Sequence, residues 1–212
     1  MAIYETEEEQ VEALKRWWKE NGRSTITGVI VGIVIIVGWN IWQNYKENQA
    51  LQASALYAQL LNAQNEGNLE SAEKIAERIQ DQFGGTAYSD YAGLFDAKIR
   101  VQQGDLAAAQ QSLEAVAKKG SDEIAQVARL GLIRILLAKG EYEQGLQMIA
   151  EAKYSEGFSG AYEELKGDLY VALDRLGEAR TAYQAALRSG HKSPLLQFKL
   201  DDITEAEIIV NQ

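Results

Sequence analysis

The chain has 212 residues, a formal net charge of −10, one histidine, one proline and no cysteine. Without cysteine there can be no disulfide, thiolate metal site or cysteine nucleophile, so packing alone must hold the domain together, which fits an oxidising compartment. The acidic balance argues against nucleic acid as a partner, because neutralising phosphates needs a basic surface, and a solvated acidic face is the plainer reading.

From Glu5 to Glu20 the sequence predicts a helix in which Val11, Leu14, Trp17 and Trp18 share one apolar stripe beside charged residues, with Asn21-Gly22 as its break. This reads as an interfacial helix rather than a partner-docking one. Its tryptophans rest at headgroup depth, and Lys15, Arg16 and Lys19 meet anionic lipid.

Ser24 to Tyr45 carries no charged side chain. About 22 residues at about 1.5 Å of rise cover roughly 33 Å, against a hydrocarbon core of about 30 Å, and in lipid the segment must be helical to satisfy its own backbone. Lys15, Arg16, Lys19 and Arg23 precede it, whereas only Lys46 is basic in the comparable flank after it. The positive-inside rule therefore puts the N-terminus in the cytoplasm. The expected organisation is a cytoplasmic segment over 1–23, a transmembrane helix over 24–45 and an extracytoplasmic domain over 46–212. Removal as a signal peptide is the competing reading. It is disfavoured because the apolar run exceeds the usual ~7–15 residues and the first small-x-small candidate, Ala53-Ser54-Ala55, lies well past Trp42.

Trp18 and Trp39 stand about 31 Å apart on a helix, and Trp42 and Tyr45 extend the second belt. Trp17, Trp18, Trp39, Trp42 and Tyr45 are thus the candidate interface anchors. Gly28 and Gly32 form a GxxxG pair that permits close approach of another helix, although a chance match is as good an explanation. Between Trp42 and Leu51 there is no proline or glycine, so the membrane helix is expected to continue into the domain and hold it against the membrane surface.

The text beyond the span is rich in alanine, glutamine and leucine at helical periodicity, and it repeats. Gly67-Asn68-Leu69 with Ala72, Gly104-Asp105-Leu106 with Ala109, Gly140-Glu141-Tyr142 with Gly145, and Asp174-Arg175-Leu176 with Ala179 share one pattern. Their small residues are spaced by about 37, 36 and 34 residues, close to the 34 of a tetratricopeptide repeat. Each unit reads as two antiparallel helices. The turn residue ends the first, and the small residue lets the second approach closely. In the last unit Gly167, Tyr170, Ala179, Tyr183 and Ala186 keep the repeat's spacing, whereas Arg100 stands where an aromatic or apolar residue is usual. The predicted fold is all-α: a transmembrane helix, then a solenoid of about four helix pairs and a C-terminal capping helix. The pairs fall at about 47–65 with 69–82, 87–103 with 106–118, 121–138 with 142–152, and 160–174 with 177–189, and Pro194 opens a last helix to about Asp202. Gly84-Gly85 and the segment around Ser155-Glu156-Gly157 read as loops.

Catalysis needs a convergent set of groups, and none is visible. His191, the one histidine, stands in a loop and reads as solvated; the acids lie along helix faces; no phosphate loop follows a strand. No cofactor, metal site or enzymatic activity is expected. Binding is the positive alternative, since stacked helix pairs present a concave face built from first helices. Tyr88, Tyr91, Phe95, Tyr162 and Tyr170 lie on predicted first helices and are the candidate groove residues, each weighed against the simpler reading that it packs in the core.

With those residues in view, the chain resembles the YfgM family, the ancillary subunit of the bacterial SecYEG translocon. The likeness is carried by YETEEEQVEALKRWWKENG, by the glycine-bearing span ending in GWNIW, and by the repeats. It implies a single-pass inner-membrane protein with a periplasmic repeat domain. It also implies association with SecYEG and the periplasmic chaperone PpiD, transfer of translocated proteins to periplasmic chaperones, and a link between the cytoplasmic segment and the regulator RcsB. The rival is a structural scaffold of an envelope complex unrelated to secretion, self-associating through its solenoid.

Overall fold

The computed structural model describes the backbone of residues 7–210 and the side chains of residues 9–203. Those residues form nine α-helices: α1 (Glu7–Asn65), α2 (Leu69–Gln82), α3 (Ala87–Gln102), α4 (Leu106–Lys119), α5 (Asp122–Lys139), α6 (Tyr142–Glu151), α7 (Glu156–Ala172), α8 (Leu176–Arg188) and α9 (Leu196–Val210). The chain divides into two compact units, Met1–Leu51 and Gln52–Gln212.

In the first unit the expected break at Asn21-Gly22 is absent, and α1 passes through it. A glycine costs an interior helix only about 1 kcal/mol. Here the Asn21 amide donates to the Trp17 carbonyl at 3.1 Å, and the Thr25 and Thr27 hydroxyls donate to the carbonyls of Asn21 and Arg23 at 3.0 and 2.9 Å. Side chains that would favour a turn are instead bonded one helical turn back. Gly22 is covered by the Trp18 ring, 3.2 Å from where a Cβ would sit. The predicted start at Glu5 lies outside the described residues.

In the second unit each repeat turn is closed by the same chemistry. Gly67, Gly104 and Gly140 adopt φ of +73°, +83° and +80°, and Asp174 takes φ 59° at the equivalent place. The N–H groups of Asn68, Asp105, Glu141 and Arg175 reach back to the carbonyls of Ala63, Arg100, Leu136 and Tyr170, each at 2.9 Å. This is the Schellman arrangement, which satisfies the carbonyls that a helix C-terminus leaves bare. Asn68 and Asp105 then cap the next helix by accepting from the N–H groups of Ser71 and Ala108 at 3.1 and 2.9 Å.

Ala72, Ala109 and Ala179 are fully buried, as their spacing predicts, whereas Gly145 makes room for the next unit rather than for its own first helix: a Cβ there would meet Leu169 of α7 at 2.9 Å. A Cβ on Gly167 would overlap the ring of Tyr183, so α7 and α8 touch at a point where only glycine fits. Arg100 has its own reason. Its Nε donates to Asp96, which is 3% exposed and also accepts from the Ser112 hydroxyl, and its guanidinium reaches Glu73 and Glu77 at 3.5 Å. One arginine thereby ties α3 to α2, while its carboxylate partner ties α3 to α4.

Two boundaries differ from the sequence reading. α7 begins at Glu156 and takes in Gly157, with Ser155 in extended conformation before it and an acid in its first turn. α9 begins at Leu196 rather than Pro194 and runs to Val210.

Candidate partner-binding face

The first helices α3 and α5 expose the same positions, one repeat apart. On α3, Tyr91, Lys98 and Gln102 are exposed; on α5, 36 residues later in each case, Val127, Arg134 and Ala138 are exposed. Among the exposed large apolar residues, Tyr91 and Val127 share one repeat position on first helices and Val101 and Val171 share another, whereas Leu187 lies on a second helix, Phe198 on α9 and Leu195 just before α9. Tyr91 and Val127, at one position of successive first helices, are the candidate contact positions.

Tyr91 belongs to an aromatic group. Tyr57, on the last turns of α1, holds its ring centroid 5.7 Å from Tyr88, 5.9 Å from Tyr91 and 5.8 Å from Phe95, in tilted and edge-on arrangements that suit aromatic quadrupoles. The Lys98 ammonium lies over the Phe95 ring, 5.4 Å from its centroid. Tyr91 is 40% exposed, and Tyr57, Tyr88 and Phe95 are half-buried. Burial, then the nearby Tyr91, raises the Tyr57 hydroxyl above its ordinary range.

The other expected groove residues separate. Tyr162 is a correction: it has no exposed surface and belongs to the core. Its ring stacks on Tyr154 at 4.3 Å, and its hydroxyl donates to the buried Gln126 at 2.7 Å, whose amide donates to the Lys153 carbonyl at 2.8 Å. Every polar atom of that group finds a partner only because Tyr162 points inward. Tyr170 is half-buried and lies against clefts between α6, α7 and α8, with the Arg175 guanidinium 4.7 Å over its ring. The face gathers Tyr88, Tyr91 and Phe95, but not Tyr162 or Tyr170. Tyr57, Lys98, Val127 and Arg134 were not singled out in the sequence. Adding the 36-residue spacing to Tyr91 and Lys98 would have found two of them.

On α7 the corresponding face is covered. Glu164 and Asp168 both accept from the Lys199 ammonium at 2.8 Å, Glu164 also accepts from the Ser193 hydroxyl at 3.0 Å, and Asp168 accepts from the Tyr183 hydroxyl at 2.8 Å. His191 is not solvated as expected; its Nε2 lies 3.0 Å from Glu164. Burial alone would raise the Glu164 carboxyl, but the bonds from Lys199, Ser193 and His191 outweigh it and hold the group below the ordinary range. Burial would likewise lower Lys199, but its two carboxylates hold it above its ordinary range. Among the described residues no group of three or more histidine, cysteine or acidic side chains could hold a metal ion.

In the first unit, Trp17, Trp18, Trp39, Trp42 and Tyr45 are all exposed. Trp39 and Trp42 pair at 5.1 Å, with the Lys46 ammonium 4.3 Å over Trp42. Nothing lies within 4 Å of a Cβ placed on Gly28 or Gly32. Among the described residues one helix is long and apolar enough to cross a membrane.

A long apolar N-terminal helix joined to stacked helix pairs defines a class, the helical-repeat proteins that carry a candidate membrane span. The chain belongs to the tetratricopeptide repeat-like domain family, whose profile matches residues 15–205. It is 29% identical over 206 residues to the ancillary SecYEG translocon subunit of Haemophilus influenzae, covering 96% of this chain and 100% of that protein. It is also 29% identical over 210 residues to the ancillary SecYEG translocon subunit of Escherichia coli, with the same coverage. These relatives agree with the resemblance to the YfgM family. Among solved structures, a MamA double mutant superposes with a TM-score of 0.57 at 14% identity, over 73% of this chain and 84% of that one, a likeness of fold alone.

Proposed function

We propose that the protein is a non-enzymatic adaptor of the SecYEG translocon. Residues 24–45 would anchor it in the inner membrane, 1–23 would lie in the cytoplasm and 46–212 in the periplasm, with the belts at Trp17, Trp18, Trp39, Trp42 and Tyr45 setting the depth of the span. Gly28 and Gly32 would give the span a close-packing face toward a neighbouring membrane helix. The first-helix face around Tyr57, Tyr88, Tyr91, Phe95 and Val127 would bind polypeptide, either a chain emerging from the translocon or the chaperone PpiD that receives it. RcsB would be the partner of the cytoplasmic segment. The observation that carries this reading is the match over their whole length to relatives named as translocon subunits, supported by Tyr91 and Val127 exposed at one position of successive first helices.

Gentle detergent extraction followed by purification on a C-terminal tag tests it. SecYEG components and PpiD are the expected companions; a self-associated chain without them would overturn the adaptor role. A periplasm-active reporter fused after Gln212 should be active and a cytoplasm-active one silent, and the reverse would overturn the orientation.

A further inference from the structure

The binding face carries a second row beside the apolar one, and that row is positive. Lys98 on α3 and Arg134 on α5 are exposed, 36 residues apart, at the same position of successive repeats. Neither enters an ion pair among the described residues; of the other cations on these two helices, Arg100 pairs with Asp96, Glu73 and Glu77 and Lys139 with Glu141, while Arg129 also has no ion pair. On α7 the equivalent place holds Asp168, already bound to Lys199, so the positive row ends where α9 begins to cover the stack.

We propose that this face selects polypeptide segments in which acidic side chains alternate with apolar ones, the acids meeting Lys98 and Arg134 and the apolar groups meeting Tyr91 and Val127. The inference rests on the reading of the first-helix face as a polypeptide-binding surface and adds the chemistry of what it takes. Charge complementarity is its argument. The protein as a whole carries −10 and repels anions at long range, so two cations without carboxylate partners on the apolar face run against the general charge. Geometry sets the spacing. Along an extended chain successive side chains point to opposite faces at about 3.3 Å per residue, so two acids that both meet this face stand an even number of residues apart, two or four.

The test uses the full chain in lipid nanodiscs and three short fluorescein-labelled peptides: one with two glutamates four residues apart and a leucine midway between them, one with glutamines in place of the glutamates, and one with lysines there. The glutamate peptide should bind about tenfold tighter than the glutamine peptide, the lysine peptide more weakly than either, and the difference should shrink in high salt. The double variant Lys98→Glu with Arg134→Glu should reverse the order, while Tyr91→Ser with Val127→Ser should weaken all three peptides alike. If the apolar variant weakens binding but the charge reversal leaves the order unchanged, the acidic preference is wrong and the face remains the docking surface. If wild type binds none of the peptides, or neither variant alters binding, both the preference and the face are wrong. Unchanged helical circular dichroism in each variant guards against loss of fold, which these exposed positions are not expected to cause.

Discussion

The contact between Gly167 and Tyr183 gives the repeat packing a number that can be checked. In Gly167→Ala the new methyl would overlap three carbons of the Tyr183 ring. The ring has little room to withdraw: it is 2% exposed, and its hydroxyl is bonded to Asp168 at 2.8 Å. Alanine in place of an interior helical glycine favours the helix by about 1 kcal/mol, and overpacking a well-filled site costs about 1–3 kcal/mol or more. With a fixed aromatic as the obstacle the upper end applies, so the net loss should be about 1–2 kcal/mol. That corresponds to a fall of roughly 2–8 °C in melting temperature for a domain of this size. Thermal unfolding of the full chain in detergent, followed by circular dichroism, measures it. Gly177→Ala is the control, because nothing lies within 4 Å of its Cβ and the same change there should be neutral or mildly stabilising. Combining Gly167→Ala with Tyr183→Leu should cost less than the two losses added together. A Gly167→Ala protein as stable as wild type, additive with Tyr183→Leu, would show that close approach is not what the glycine supplies.

Other outcomes follow from the same geometry. Asp174 holds a left-handed conformation that glycine adopts at no steric cost, so Asp174→Gly should stabilise by about 0.5 kcal/mol in urea unfolding, whereas Gly104→Ala should destabilise by about 1 kcal/mol. Tyr162→Phe removes the donor to Gln126 and should cost about 1–2 kcal/mol of stability while leaving peptide binding unchanged; Tyr91→Ser should do the reverse. The latch on α9 should depend on pH at both ends. Glu164 is held below its ordinary value, so its contribution is present above about 4.3 and is lost as pH falls through the lower folded value. Lys199 is held above its ordinary value, so its contribution is present below about 10.4 and is lost as pH rises through the higher folded one. Lys199→Met should remove about 2 kcal/mol of stability between those limits, read as earlier proteolysis of the C-terminal helix.

The repeats were legible because their determinants are local. A glycine or aspartate in the left-handed region, a capping Asn68 or Asp105, and a small residue four or five positions after the turn can all be read without knowing what lies across the helix. The division of aromatics between face and core was missed by one position: the repeat spacing carries Tyr91 to the exposed Val127, whereas Tyr162 aligns with the buried Ala92 and Ala128. What separates them is the neighbour each meets: Tyr57 and solvent for one, Tyr154 and Gln126 for the other. Arg100 looked like a departure from the repeat and is a cross-link between helices, because its carboxylates come from residues 4 to 27 positions away. Asn21-Gly22 misled in the opposite direction. Turn-forming residues outweighed the helix on either side in the sequence reading, and the backbone bonds of a long helix outweigh them in the fold.

The face itself can be interrogated in living cells with a photo-reactive side chain placed at Tyr91, at Val127 and, as a control on a second helix, at Leu187. The first two positions should capture SecYEG components, PpiD or a translocating chain, and the third should not. Capture of none of these from Tyr91 and Val127, or equal capture from Leu187, would contradict the claim that the first helices form the working surface.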